Sequence, residues 1–273
     1  MKRLLLAACA VLLAVAGVRV FLRSSGASAP VDVLWRRLQP GVDLAVIGAH
    51  DPLYAVRIDT HRAHVEAALA SESGGSRTAG AWCRSAGLAV AINLGMFQAD
   101  GRSNVGYLRH TSHVNNGHWN AYRSVVAFNP KDASRPTLLW RDLDQTSATV
   151  DLREYNLVVQ NLRLIAGDRK SVWAGTGRRW SEAAIAVDSH DRMLFLFSRA
   201  PYTMRDFNQF ILGLPLDITR AMHVEGGPEA SLSIHTAGVN LDLCGSYETG
   251  FRPDDSNHEQ WPLPNVLGVL RER

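Results

Sequence analysis

Apolar segments, of which residues 31–48 and 53–69 alternate apolar with polar side chains, predict β-structure along much of the chain. The alternation has a period of two residues in segments rich in Val, Ile and Leu, as expected where one strand face packs on a core. Strands are predicted in residues 31–48, 53–69, 88–92, 124–130, 137–143 and 155–165. Segments rich in Gly, Ser, Asn and Asp separate these strands and predict turns and loops.

Two pairs of apolar segments are joined by short polar turns, which is typical of β-hairpins. The first hairpin is predicted in residues 183–198, with its turn at 188–191. The second is predicted in residues 231–244, with its turn at 236–238.

Helical periodicity is clear in two segments. Residues 79–87 predict a short helix that ends at Gly87, and Thr203 is placed to cap a longer helix with one apolar stripe. Strands outnumber helices and do not alternate regularly with them. The pattern therefore predicts an α+β fold of mainly antiparallel, curved sheets packed with a few helices.

The first 29 residues have the pattern of an export segment. A basic start precedes an apolar run from Leu4 to Val18, and the small residues Ala27-Ser28-Ala29 precede Pro30. Arg19 interrupts the run, so residues 1–29 are interpreted as either a cleaved signal peptide or an uncleaved anchor in the inner membrane. We expect an exported protein of the periplasm or cell envelope, with residues 30–273 as one folded domain.

The charge distribution argues against nucleic acid as a partner. The formal charge is +3, but Lys2, Arg3, Arg19 and Arg23 lie in the export segment, which contains no acid. The remaining chain carries 25 basic and 26 acidic side chains, a net charge of −1. A nucleic-acid binder needs a clustered basic face, so none is predicted, and the export segment is the only predicted membrane contact.

Two cysteines, Cys83 and Cys244, lie beyond the export segment. In an exported protein they predict either one disulfide or two buried free thiols that pack as small apolar side chains. His110, His113 and His118 have spacings that suggest metal ligation, but no cysteine or acid accompanies them. We interpret them as surface-loop histidines. No metal site or cofactor is predicted, although a divalent cation stays an alternative.

The stretch HVEGGPEASLSIH, residues 223–235, places two glutamates around a Gly-Gly-Pro turn. Gly226 and Gly227 allow the backbone to approach a ligand, and Pro228 restricts the chain before Glu229. Two neighbouring carboxyl groups repel when ionised, so one keeps its proton, as acid–base cleavage of a glycosidic bond requires. The alternative is that Glu225 caps the turn and Glu229 is a solvated surface acid.

Five segments, taken in order and spacing, resemble the phosphodiester glycosidase family. They are AINLGMFQADGRSNVGYL, VVQNLRLIAGD, AAIAVDSHDRMLFLFS with its following helix, HVEGGPEASLSIH and WPLPNVLGV. The resemblance runs from about residue 32 to the C-terminus. It implies a hydrolase that releases a sugar from a phosphodiester-linked or other envelope glycan, with an active cleft between these loops.

Two family motifs are carried over onto this chain with changes. An Asn-Gly-Gly-Phe-Phe-like motif falls on residues 93–97, where Leu94 replaces the first glycine. An Asp-Gly-Gly-Gly-Ser-like motif falls on residues 225–228 and, after an insertion of two residues, on Ser231. Within it, Glu225 replaces the Asp of the motif and Pro228 replaces its third Gly. The resemblance implies that Glu225 and Glu229 are the acid and the nucleophile or base, in an order that stays open.

The substrate-binding residues implied by these motifs are Asn93, Gly95, Gly226, Gly227 and Ser231. Gln160 ends a strand and is either a further substrate ligand or an ordinary strand-end polar residue. Arg163 is either a phosphate clamp, since guanidinium matches two phosphoryl oxygens, or an exposed strand arginine. Besides an enzyme, the sequence is compatible with a non-catalytic periplasmic glycan-binding protein or a structural envelope protein.

Overall fold

The computed structural model describes residues 32–144, 152–175 and 177–272. The strands of these residues are β1 (Arg36–Gln39), β2 (Val42–Ile47), β3 (Leu53–Ile58), β4 (Val65–Leu69), β5 (Leu88–Asn93), β6 (Leu108–His110), β7 (His113–Asn116), β8 (Ser124–Pro130), β9 (Leu138–Asp142), β10 (Tyr155–Ala166), β11 (Lys170–Ser171), β12 (Trp180–Asp188), β13 (Met193–Tyr202), β14 (Ile218–Gly226), β15 (Ser231–His235), β16 (Asn240–Cys244) and β17 (Asn265–Leu270). The helices are α1 (Ala70–Ser73), α2 (Ala79–Ser85) and α3 (Met204–Gly213), with a 3-10 helix at Gly227–Glu229.

The strands form two sheets whose pairings in the described residues are all antiparallel. The larger sheet has the order β1-β2-β3-β13-β12-β14-β10-β6-β7, with β8 and β11 also paired to β10, and β9 to β8. The smaller sheet has the order β16-β15-β5-β17-β4. The predicted class of mainly antiparallel sheets with few helices is therefore confirmed.

Alternating side chains explain how the layers pack. On β12, Ala183, Ile185 and Val187 join a core shared with the smaller sheet, whereas Ala184 and Ala186 join a second core that contains residues of α3. A third core joins α2 to the smaller sheet through Trp82. The layers are therefore α3, the larger sheet, the smaller sheet and α2, and both sheets are covered on two faces.

The residues predicted to cap or end the helices lie at the helix ends in the structure. The side chain of Thr203 accepts a hydrogen bond from the Asp206 N–H at 3.1 Å and caps α3. Gly87 follows α2 with φ of 67°, the left-handed conformation that favours glycine after a helix. Both predicted hairpins are confirmed, as β12 with β13 and β15 with β16.

The two cysteines of the described residues are free. Cys83 and Cys244 are both buried and do not form a disulfide, so of the two alternatives the structure has the buried thiols. Burial, assisted by the Asp242 charge, raises the pKa of Cys83 to about 12. That thiol packs as an apolar side chain and stays protonated at neutral pH.

The export segment, residues 1–29, lies outside the described residues. Within the part of the chain that is described, no helix is long and apolar enough to cross a membrane. Export and anchoring therefore stay predictions.

The prediction of surface-loop histidines is confirmed for His118, which lies in an exposed loop, and is wrong for His110 and His113. His110 ends β6 and His113 begins β7, so the segment is a hairpin on the larger sheet. The ring nitrogens of His110 lie 2.8 Å from a carboxylate oxygen of Glu66 on β4 and 2.8 Å from one of Glu72 on α1. This cluster, the His110 clamp, connects the two sheets. Its two acids were missed because they lie about 40 residues earlier in the chain.

The His110 clamp predicts a pH-dependent stability. The bond to Glu66 raises the pKa of His110 to about 9 despite partial burial, with Glu72 adding to the rise. A folded-state pKa above the unfolded value of about 6.5 stabilises the protein fully below pH 6.5, and the contribution disappears as pH rises through 9. We expect His110→Gln to lower the unfolding free energy by up to about 3 kcal/mol at pH 6.

The measurement is the difference in thermal stability between parent and variant from pH 6 to pH 10. The difference should shrink towards the alkaline end. The exposed His258 offers a matched control, since His258→Gln should change little at any pH. A parent-to-variant difference that is constant across this range would contradict the charge assignment.

Candidate active site

The site lies where the chain crosses from the larger sheet to the smaller one. Strand β14 ends at Gly226, the 3-10 helix Gly227–Glu229 makes the turn, and β15 begins at Ser231. Gly227 has φ of 66°, and a Cβ there would lie 2.8 Å from Oε2 of Glu248. Glycine is favoured at this position because of its backbone angle, and a Cβ would also displace the Glu248 carboxylate.

Asn93 holds this crossover in place from the end of β5. Its Nδ2 donates to the Glu229 carbonyl at 3.0 Å, and its Oδ1 accepts from the Ser231 N–H at 2.8 Å. The Ser231 hydroxyl donates to the same Glu229 carbonyl at 3.2 Å. Both Asn93 and Ser231 are buried, so these bonds fix the backbone that carries Glu229. Direct contact of either side chain with substrate stays a prediction.

Three glutamates, which we call the carboxylate cluster, interact at the crossover: Glu225, Glu229 and Glu248. Burial, with smaller contributions from the charges of Glu229 and Glu248, raises the pKa of Glu225 to about 8 against the opposing effects of His223 and the Gly226 N–H. Burial and the Glu248 charge also raise the pKa of Glu229, opposed by Arg252. Glu225 therefore holds its proton at neutral pH, as expected for one member of a carboxyl pair.

A buried ion pair lies beside the carboxylate cluster. Nδ1 of His223 is 2.6 Å from Oε1 of Glu182, and Oε2 of Glu182 accepts from Nε1 of Trp180 at 2.6 Å. Glu182 is 1% exposed and His223 is 4% exposed. Burial acts to lower the pKa of His223, but the Glu182 carboxylate, with Glu225 and Glu248, raises it above its usual value. Glu182 therefore favours the protonated form of the ring next to the cluster.

Gln160, predicted as a ligand at a strand end, lies instead in the middle of β10, where it organises a loop that reaches the carboxylate cluster. Its Nε2 donates to the carbonyls of Asn120 and Tyr122, and its Oε1 accepts from the N–H groups of Tyr107 and Asn120. Tyr122 lies near enough for the Glu225 charge, together with burial, to raise its pKa. Gln160 is completely buried, so in this structure it positions Tyr122, and its own contact with substrate stays a prediction.

The remaining predicted residues have other neighbours. A Cβ on Gly95 would lie 2.5 Å from Oδ1 of both Asn104 and Asn161, and a Cβ on Gly226 would lie 2.6 Å from the Trp180 ring. These two glycines permit close packing. Arg163 binds both carboxylate oxygens of Asp144 at 2.8 Å, so the guanidinium predicted as a phosphate clamp already has an acidic partner.

Cavity volume does not distinguish this site from other parts of the surface. Cavities of about 290 Å³ and 390 Å³ are both lined in part by Thr60 and Thr137, away from the crossover. The site is distinguished by half-buried carboxyl groups with raised pKa values, which are typical of functional clefts. Within residues 32–144, 152–175 and 177–272, no group of three or more His, Cys, Asp or Glu side chains is arranged to hold a metal ion.

Sequence reasoning missed Glu182, His223 and Glu248. The first two carry a detectable signal, because each is an ionisable residue inside an apolar strand segment, and such residues are rarely buried without a partner. Glu248 lies in a loop and has no such signal. Its backbone forms a bridge with Trp180, which brings it to the cluster.

Comparisons with known proteins agree with this architecture. The family model for phosphodiester glycosidases matches residues 86–270. No curated protein matches the sequence. The structure of a hypothetical protein from Synechocystis superposes on this chain with a TM-score of 0.58 at 15% sequence identity. The superposition covers 90% of this chain and 65% of the Synechocystis chain, so this chain spans just under two thirds of that protein.

A second solved structure has the same fold. The catalytic domain of zebrafish N-acetylglucosamine-1-phosphodiester alpha-N-acetylglucosaminidase, auto-inhibited by its pro-peptide, superposes with a TM-score of 0.58 at 10% identity, covering 90% of this chain and 85% of that one. At this identity the likeness concerns the fold alone. Because the family model covers more than half of the chain, this protein belongs to the phosphodiester glycosidase family.

Proposed function

We propose that this protein is an exported hydrolase that cleaves a sugar from a phosphodiester-linked glycan of the cell envelope. The observation that carries the proposal is the carboxylate cluster, in which burial raises the pKa of Glu225 to about 8 and also raises the pKa of a second half-buried acid, Glu229. Family membership supplies the reaction class, glycosidic cleavage at a phosphodiester. Export rests on the pattern of residues 1–29.

The pKa values suggest an order for the two acids. Glu225 donates its proton to the phosphoryl oxygen that leaves C1 of the sugar, and the C1–O bond electrons go to that oxygen. Glu229, whose ionised form Arg252 favours, either removes a proton from an attacking water or attacks C1 itself. In the second case a glycosyl ester forms on Glu229, and water then cleaves it, releasing the sugar and the free carboxylate. The products in both cases are the free sugar and a phosphate monoester.

The test is hydrolysis of a panel of methyl phosphodiesters of N-acetylglucosamine, glucose and galactose, each linked through the anomeric oxygen. We expect the full-length chain to release free sugar and methyl phosphate, followed by ³¹P NMR. Glu225→Gln and Glu229→Gln should each abolish most of this turnover. Release of sugar at the parent rate by both variants would exclude the carboxyl pair as the catalytic acids.

A further inference from the structure

The carboxylate cluster presents an electrostatic problem for an anionic substrate. A phosphodiester carries one negative charge, and as the C1–O bond breaks, the leaving phosphate monoester approaches two. Glu229 and Glu248 lie in the same cleft and repel such a group when they are ionised. A cation must therefore face the phosphate for binding and bond cleavage to be favourable.

Most cations near the site are already committed to acids. Arg163 is bound by Asp144 through two bonds of 2.8 Å. Arg178 is 3.7 Å from Glu248 and its side chain is 68% exposed, so its charge is screened by water. Arg252 acts on Glu229.

His223 has the geometry of a fixed cation with one open ring position. Glu182 engages Nδ1 at 2.6 Å, whereas Nε2 makes no hydrogen bond to any residue in the described part of the chain. The acidic groups that act on the ring are Glu182 on β12, Glu225 on β14 and Glu248 in the loop after β16. A carboxylate on Nδ1 fixes the ring orientation and leaves Nε2 to face a ligand.

We propose that His223, whose ring is oriented by Glu182, is the residue that receives the phosphate of the substrate through Nε2–H. This inference rests on the proposed function and names the group that recognises its anionic part. Because the phosphate gains charge as the bond breaks, the imidazolium stabilises the transition state more than the bound substrate. The effect of losing it should therefore fall mainly on kcat, with a smaller effect on KM.

The first experiment compares two substrates of one sugar, the methyl phosphodiester and the uncharged 4-nitrophenyl glycoside. His223→Gln should lower kcat/KM for the phosphodiester by about 10- to 100-fold, the range for a hydrogen bond to a charged group. Its kcat/KM for the uncharged glycoside should stay close to that of the parent. An equal loss on both substrates would mean that His223 is only structural and would overturn the proposal.

A second variant guards against a folding defect, since His223→Gln leaves the Glu182 carboxylate buried without its partner. The double variant Glu182→Gln/His223→Gln leaves no buried charge, and it should show the same selective loss on the phosphodiester. His258→Gln serves as the matched control and should match the parent on both substrates.

A binding measurement separates this inference from the proposed function. The parent should bind inorganic phosphate in isothermal titration calorimetry, and the double variant should not. If the parent hydrolyses neither substrate, the proposed function fails while the calorimetry still tests the phosphate site. Absence of phosphate binding by the parent, or equal binding by the double variant, contradicts the role of His223.

Discussion

Replacing Glu225 with Gln lowers kcat/KM for a sugar phosphodiester by about 10²- to 10⁴-fold, the range for loss of a positioned general acid. The parent should also lose activity as pH rises through about 8, because burial raises the pKa of Glu225 to about 8 and only the protonated form donates. The residual activity of Glu225→Gln should not show this alkaline decline. The measurement is kcat/KM from pH 5 to pH 10 for both proteins.

The same substitution should stabilise the fold at alkaline pH. A carboxyl group whose folded pKa lies above its unfolded value makes the protein progressively less stable as pH rises between the two values, here from 4.5 to about 8. Glu225→Gln removes this cost, so its melting temperature should exceed that of the parent at pH 8. Glu259 is exposed, and Glu259→Gln should leave both activity and stability unchanged. A variant with parental activity, or without the stability gain, would contradict the assignment of Glu225 as the buried acid.

Replacing Glu182 with Gln produces the largest expected loss of stability, about 3–5 kcal/mol of unfolding free energy, because it leaves His223 buried without its counter-charge. The loss should be greatest below pH 6. Without Glu182, burial lowers the pKa of His223 in the folded protein below its value in the unfolded chain. In acid the unfolded chain therefore binds one more proton than the folded protein, and this shifts the folding equilibrium towards the unfolded state. At pH 8 the neutral ring is tolerated better and the loss should be smaller. Urea denaturation at pH 5.5 and pH 8 measures both values.

The double variant Glu182→Gln/His223→Gln tests the reason for this loss. It has no buried charge, so it should recover much of the stability that Glu182→Gln loses at pH 5.5. If the losses simply add, or if the loss in Glu182→Gln does not depend on pH, the two side chains are not a charged pair.

Much of the fold could be predicted because its strands are locally encoded. The two apolar segments of β12 and β13, their polar turn and the Thr203 cap of α3 are properties of adjacent residues, and the structure has these elements at the predicted positions. The membership of each sheet could not be predicted in the same way. In the smaller sheet, β5 pairs with β15 and β17, strands that lie more than 130 residues away in the chain.

The candidate site could likewise be predicted where its residues are close in sequence, but not where they come from distant segments. Glu225 and Glu229 are close in sequence on either side of a glycine-proline turn, so their proximity was readable from local pattern. Asn93 was predicted at the site from family resemblance, but its bonds to the crossover backbone depend on the pairing of β5 with β15. The partners that set the charges, Glu182 and Glu248, come from other segments and are brought in by the tertiary fold.

The most direct test of this account is the pKa of Glu225 itself, measured by ¹³C NMR of the glutamate side-chain carboxyl groups, with Glu225→Gln identifying its resonance. The account predicts a midpoint near pH 8. A midpoint below pH 5, as in an exposed glutamate, would mean that Glu225 is ionised at neutral pH and cannot be the proton donor.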